Sequence, residues 1–145
     1  MGHHDASIFE CCLYFTANSL AREISRLADR QFGQLGMSTP HAFLLTQVVE
    51  RPGITQKDLA HELNLAQSTV SRFVDTLVAR GFLVKEADGR QVHVHSTPTG
   101  RALIPRINEA WGGLYREYCD LLGEEAAERL TRLTLDAHRR LAAKE

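Results

Sequence analysis

Between Gln67 and Asp75 the chain concentrates side chains that donate and accept hydrogen bonds: Gln67, Ser68, Thr69, Ser71, Arg72 and Asp75. Wound at 3.6 residues per turn, Val70, Val74 and Leu77 form an inward stripe with Phe73 at its flank. Ser68, Ser71, Arg72 and Asp75 then share the opposite side, with Gln67 and Thr69 at the N-terminal end. Short hydroxyls let a helix sit deep in a groove and bond base edges or phosphates. A guanidinium offers paired donors to guanine or clamps a phosphate, and a Gln amide pairs with adenine. One such residue is an ordinary solvated position, but together they form a surface suited to the major groove of DNA.

Other chemically capable residues are more scattered. Arg90 falls at a predicted hairpin tip, where it would meet a minor groove or its phosphates, with Asp88 two residues away to orient it. Lys57 and Lys85 are the next phosphate candidates. Cys11 and Cys12 are neighbours that point about 100° apart on a helix, too far to chelate as a pair. Either could meet Cys119 of the same or a partner chain. Three readings stay open for these thiols: small buried hydrophobes, redox sensors, or a soft-metal site. His93 and His95, two apart on a strand, share a face that could take a metal, although solvated residues of that kind are commoner. His61 lies beside the turn next to the DNA-facing helix. His41, Trp111 and Tyr115 are candidates to line an effector pocket, with packing the alternative for the two aromatics. The chain has no Gly-rich phosphate loop, Ser-His-Asp arrangement or metal-hydrolase motif, so neither catalysis, a cofactor nor a defined metal site is expected.

Those residues need elements to position them. From Ser7 to about Leu35 the pattern is helical and nearly unbroken, and its first turns are apolar almost all round (Ile8, Phe9, Cys11, Cys12, Leu13, Tyr14, Phe15). A helix apolar on every side must be covered on every side, which points to a partner chain. Ser38-Thr39-Pro40 starts a second helix that Arg51-Pro52-Gly53 ends. Thr55 caps a third, with Asp58 in its first turn. Asn64 marks the turn into the fourth, about Ala66 to Arg80, which Gly81 closes. The period then changes to alternation at 82–85 and 91–95 around Asp88-Gly89, a hairpin. Thr97-Pro98 opens another helix to about Leu122, in which Pro105 marks a kink or a late start. Gly123 precedes a last helix. The expected fold is mostly α with a small β wing: a winged helix-turn-helix over 38–103, flanked by a helical dimerisation region over 1–37 and 104–145.

Composition agrees and excludes several classes. The chain has 145 residues, is 43% hydrophobic and carries a net charge of −1, enough for one real core and no strong overall field. From Arg51 to Arg106 eight Lys or Arg face five Asp or Glu, leaving a basic middle between acidic ends. No apolar run reaches the ~20 residues of a membrane span. The Met1-Gly2-His3-His4 opening reads as an expression remnant, not a signal peptide. An odd number of cysteines provides no disulfide framework, so a reducing, cytoplasmic setting is expected.

Several pieces in a fixed order resemble the multiple-antibiotic-resistance regulator (MarR) family of winged-helix repressors. They are Leu59-Ala60-His61-Glu62-Leu63, the run from Gln67 to Leu77, Arg80-Gly81-Phe82-Leu83-Val84, the Asp88-Gly89-Arg90 wing tip, and Thr97-Pro98-Thr99-Gly100-Arg101-Ala102-Leu103. The resemblance implies a homodimer formed by the terminal helices and a recognition helix in the major groove of double-stranded DNA. It implies a pseudo-palindromic operator with half-sites about 10 bp apart. It assigns groove contact to Gln67, Ser68, Thr69, Ser71 and Arg72, and wing contact to Arg90. The wing departs from the family pattern, being shorter and less basic. The implied function is a repressor relieved by a small ligand, an oxidant or a metal. Organic-hydroperoxide regulators of the family place a sensing cysteine early in the first helix, and Cys12-Leu13-Tyr14-Phe15 resembles that site, though its spacing to Pro40 differs. The competing function is a winged-helix protein-interaction module. It would want an apolar free face where Ser68, Ser71 and Arg72 stand.

Overall fold

The computed structural model describes residues 7–144, so the Met1-Gly2-His3-His4 opening lies outside the described residues. The elements run α1 (Ile8–Cys11), α2 (Leu13–Gly33), α3 (Thr39–Glu50), β1 (Ile54–Thr55), α4 (Gln56–Leu63) and α5 (Gln67–Ala79). They continue as β2 (Leu83–Asp88), β3 (Gln91–Ser96), α6 (Pro98–Arg101), α7 (Ile104–Leu122) and α8 (Glu124–Ala142). The chain divides into two compact units. One is Gln31–Ala110, and the other joins the described residues up to Arg30 with those from Trp111 onward.

In the Gln31–Ala110 unit each helix is delimited by its own sequence. Ser38 Oγ accepts the His41 N–H at 3.4 Å and Pro40 sits in the first turn of α3. Thr55 Oγ1 accepts the Asp58 N–H at 3.1 Å at the start of α4. Asn64 ends α4 in the left-handed region at φ 55°, which a short amide side chain tolerates. Leu44, Leu45 and Val48 of α3, Leu59 of α4, Val70, Val74 and Leu77 of α5, and Val94 of β3 are all fully buried together with Phe32. The inward stripe read for the fourth helix is thus the inner face of α5.

Behind α5 the chain makes an antiparallel sheet in the order β1-β3-β2. Sequence patterning indicated only a hairpin. The third strand is Ile54-Thr55, paired Ile54↔Val94 and Thr55↔His93, and two residues are too few to show alternation. The hairpin loop is Gly89-Arg90, with Asp88 paired to Gln91, so the turn sits one residue later than Asp88-Gly89. Gly89 adopts φ 61°, which its position in so tight a loop requires. At the far end of β3, Thr97 Oγ1 donates to Gly81 O at 2.6 Å and accepts the Gly100 N–H at 3.0 Å. The backbone of Phe82 lies so close to Gly100 that a Cβ there would collide with its carbonyl.

The helix expected from Thr97 to Leu122 is two pieces, α6 and α7. Pro105 falls in the first turn of α7, where its missing N–H costs nothing, so it marks a late start. The first helix is also divided. Cys12, at φ −87° and ψ 115°, is extended and separates α1 from α2.

In the other unit the helices leave much apolar surface open. Ala28, Leu114 and Ala127 are buried, and Arg30 donates to the Glu117 carboxylate. Ile8, Phe9, Leu13, Tyr14, Leu121, Leu133 and Leu141 are exposed. An open groove of about 440 Å³ is lined by residues that include Leu20, Ile24, Tyr118, Leu122 and Leu130. Among the described residues no helix is long and apolar enough to cross a membrane.

Candidate nucleic-acid interface

With Val70, Val74 and Leu77 turned inward, α5 presents the opposite residues to solvent: Gln67, Ser68, Arg72 and Asp75 are exposed, and Thr69 and Ser71 half-buried. Arg72 Nη2 approaches Thr69 Oγ1 at 3.5 Å, one turn back along the helix. Thr76 Oγ1 donates to the Arg72 carbonyl at 3.0 Å. Apart from that long contact, the Arg72 guanidinium points outward with its donors available. The surface joins three hydroxyls, an amide and a guanidinium on about two turns of helix, a combination that bonds base edges and phosphates.

Lys85 and Asp75 show a relation that the sequence did not reveal. Lys85 Nζ bonds Asp75 Oδ1 at 2.6 Å, tying β2 to α5. The sequence makes Lys85 a phosphate candidate and sets Asp75 on the groove-facing side of the helix. The ion pair instead lets Lys85 neutralise a carboxylate that would repel a phosphate backbone. Ten residues apart, with a helix end and a turn between, the two have no shared periodicity to reveal them. Lys57 is exposed in the first turn of α4, and Arg90 is exposed at the second position of the hairpin loop. Asp88, the expected orienter of Arg90, faces His93 instead, with His93 Nε2 3.9 Å from Asp88 Oδ2.

Other basic residues hold the frame. Arg80 Nη1 donates to Gly36 O at 2.9 Å, and the guanidinium lies 4.9 Å over the Phe82 ring. Arg51 pairs with Glu62, which also accepts from Gln47. Arg101 Nη1 donates to Ser96 O at 2.9 Å.

The effector candidates fall in both units. His41 belongs to the Gln31–Ala110 unit, where its ring meets Phe73 of α5 edge-on at 4.5 Å. Its Nε2 is buried without a hydrogen-bond partner. Burial first, and the Arg80 charge second, hold its pKa below the ordinary histidine value. Trp111 and Tyr115 lie in the other unit. Tyr115 stacks edge-on with Tyr118 at 5.5 Å, and its hydroxyl is 3.5 Å from Glu124 Oε1. A side-chain hydrogen bond with Cys119, and then the electrostatic effect of the same residue, push its pKa up to about 12. All three thiols are free: Cys11 is exposed, and Cys12 and Cys119 are half-buried. Among the described residues no group of three or more metal-ligating side chains is arranged to hold an ion.

Comparison with known proteins agrees with this geometry. Residues 35–91 match the model of the MarR family. An uncharacterized HTH-type transcriptional regulator of Bacillus cereus is 23% identical over 122 residues, 83% of each chain. The transcriptional repressor CouR, solved bound to a 23-mer DNA duplex, superposes with a TM-score of 0.83 at 16% identity, covering 91% of this chain and 96% of CouR. The PcaV transcriptional regulator of Streptomyces coelicolor, solved with its natural ligand, superposes at 0.77 with 21% identity, covering 95% and 96%. At such identities the superpositions establish the fold. The family model covers the element order from the turn after α2 through β2 to the start of β3, and with it the α5 face described above. Residues 35–91 thus match the MarR family, and the chain shares the winged helix-turn-helix fold of these solved regulators.

Proposed function

We propose that the chain is a homodimeric, sequence-specific DNA-binding regulator of transcription, acting in the cytoplasm as a repressor. The observation that carries this reading is the outer face of α5, where Gln67, Ser68, Thr69, Ser71 and Arg72 stand free of the core. On this reading α5 enters the major groove, Arg90 approaches the adjoining minor groove or its phosphates, and Lys57 takes a phosphate. Lys85 acts through Asp75 on the angle between helix and wing. The exposed apolar residues of α1, α2, α7 and α8 support a second copy as the partner, because a monomer would leave them in water. Two symmetric copies then address a pseudo-palindromic operator. Relief of repression by a small ligand is supported by the ligand-bound PcaV structure, at the level of shared fold. The exposed Cys11 keeps an oxidant or a soft metal as alternative signals.

The test is binding to duplex DNA from the region upstream of its own gene against random duplex of equal length. The expected result is preference for the former, with affinity that falls steeply with salt. Equal binding to both, or unchanged binding by Arg72→Ala, defeats the proposal.

A further inference from the structure

The wing carries two histidines that the helix-turn-helix does not use. His93 and His95 stand two residues apart on β3, so both rings project from one face of the sheet. Val94 between them is fully buried on the other face. The register sets Glu86 directly opposite His93 and puts Asp88 on the same side of β2. Both rings are seated on Gly53. His93 Nδ1 lies 2.8 Å from Gly53 O, and a Cβ on Gly53 would come within 3.2 Å of His95 Cε1.

The bond to Gly53 decides where the His93 proton sits. A carbonyl only accepts, so Nδ1 carries the hydrogen and the neutral ring keeps its lone pair on Nε2. That nitrogen is the one facing Asp88 Oδ2 at 3.9 Å. His95 Nε2 similarly stands 3.7 Å from Glu86 Oε2. A lone pair opposite a carboxylate gains nothing, whereas a proton on Nε2 makes the approach a charge-assisted hydrogen bond. The carboxylates, 83% and 73% exposed, have room to swing in and close the gap.

Charge makes the consequence larger than two local bonds. The hairpin holds Lys85 and Arg90 against Glu86 and Asp88. Lys85 is committed to Asp75, so with neutral imidazoles Arg90 stands between two carboxylates as the cation left for phosphate. With Lys85 paired to Asp75, proton uptake by both rings takes the rest of the hairpin from a net charge of −1 to +1. Glu86 and Asp88 of β2 approach the rings, the turn before β1 contributes the Gly53 backbone, and α3, also packed on β3, carries Glu50 at its end. On neighbouring elements, Glu62 of α4 is held by Arg51 and Gln47, and Arg101 of α6 is turned onto Ser96. Imidazoles change charge between about pH 5 and 8, and a charge acts on phosphates within a Debye length of about 10 Å at 0.1 M salt.

We infer that His93 and His95 make the wing a proton-dependent DNA contact, weak toward phosphate when the rings are neutral and basic when they are charged. This rests on the DNA-binding reading above. It is tested by fluorescence anisotropy at pH 7.5 and 5.5 on the full chain and on a His93→Gln/His95→Gln variant. The probe is a labelled duplex that the full chain has selected from a random pool. A Gln amide can still donate to Gly53 O, and circular dichroism at both pH values verifies that the variant is folded. The expected result is roughly tenfold tighter binding at pH 5.5 for the native chain, with a salt dependence steeper by about one to two counterions. The variant should match it at pH 7.5 and lose most of that gain. His41, His61 and His138 are present in both proteins, so the difference isolates the wing. A gain shared equally by native chain and variant, or affinity independent of pH, overturns the inference and leaves the DNA reading standing. A native chain that selects no duplex at either pH overturns both.

Discussion

The Gln31–Ala110 unit and the helical unit use apolar residues in opposite ways. In the first, Leu44, Leu45, Leu59, Val70 and Leu77 are fully buried, so α3, α4 and α5 close on one another. In the second, Leu13, Leu121, Leu133 and Leu141 remain 70%, 71%, 63% and 66% exposed. At about 25 cal/mol per Å² of apolar area, the first arrangement already holds its stabilisation within the chain, while the second still has it to gain. The contrast indicates where each unit's stability comes from. A winged helix complete in itself can present α5 rigidly, and the open helices offer the apolar surface that the proposed dimer would bury.

The comparison breaks most readily at the core. Leu45→Ala should cost about 2–5 kcal/mol in chemical denaturation, while Leu133→Ala in the same assay at low protein concentration should cost under 0.5 kcal/mol. A large loss from Leu133→Ala that does not vary with protein concentration would mean that the helical unit closes on itself. Arg72→Ala should weaken operator binding by about 1–3 kcal/mol, read by anisotropy, with the denaturation midpoint unchanged. Thr55→Ala should remove about 1 kcal/mol of stability by leaving the Asp58 N–H without its cap.

His41 sharpens the contrast through pH. Its pKa is held below 6.5 in the folded chain, so the unfolded chain takes up the proton first as pH falls. Stability is therefore full above about pH 6.5 and declines below it, until the folded-state value is passed. Denaturation midpoints at pH 7.5 and 5.5 should differ less in His41→Gln than in the native chain. The smallest effect is expected for Lys85→Gln, about 0–1 kcal/mol in stability because the pair with Asp75 is largely exposed. Its loss should appear mainly as weaker DNA binding, from an uncovered Asp75.

Much of the Gln31–Ala110 unit was legible residue by residue. Ser38, Thr55 and Asn64 mark helix ends through bonds to their own neighbours, and the Val70-Val74-Leu77 stripe follows from helical period alone. The same period divided α5 into a core side and a groove side. Less could be read at the thiols, because Cys11 and Cys12 have no neighbour-dependent signature of burial. The first of them proved exposed and the second a helix break. His41, Trp111 and Tyr115 were grouped by chemical type, and the fold distributes them between two units.

What the sequence determined by itself was whatever a few consecutive residues decide: caps, turns, helix faces, and the change from period 3.6 to period 2. Tertiary structure alone decided the pairing of β1 with β3, the closure of Lys85 onto Asp75, and the seating of His93 on Gly53. Each of these joins residues with no common local period, 40 apart in the last case. Such contacts depend on how elements pack after they form, and neither propensity nor spacing along the chain encodes that distance.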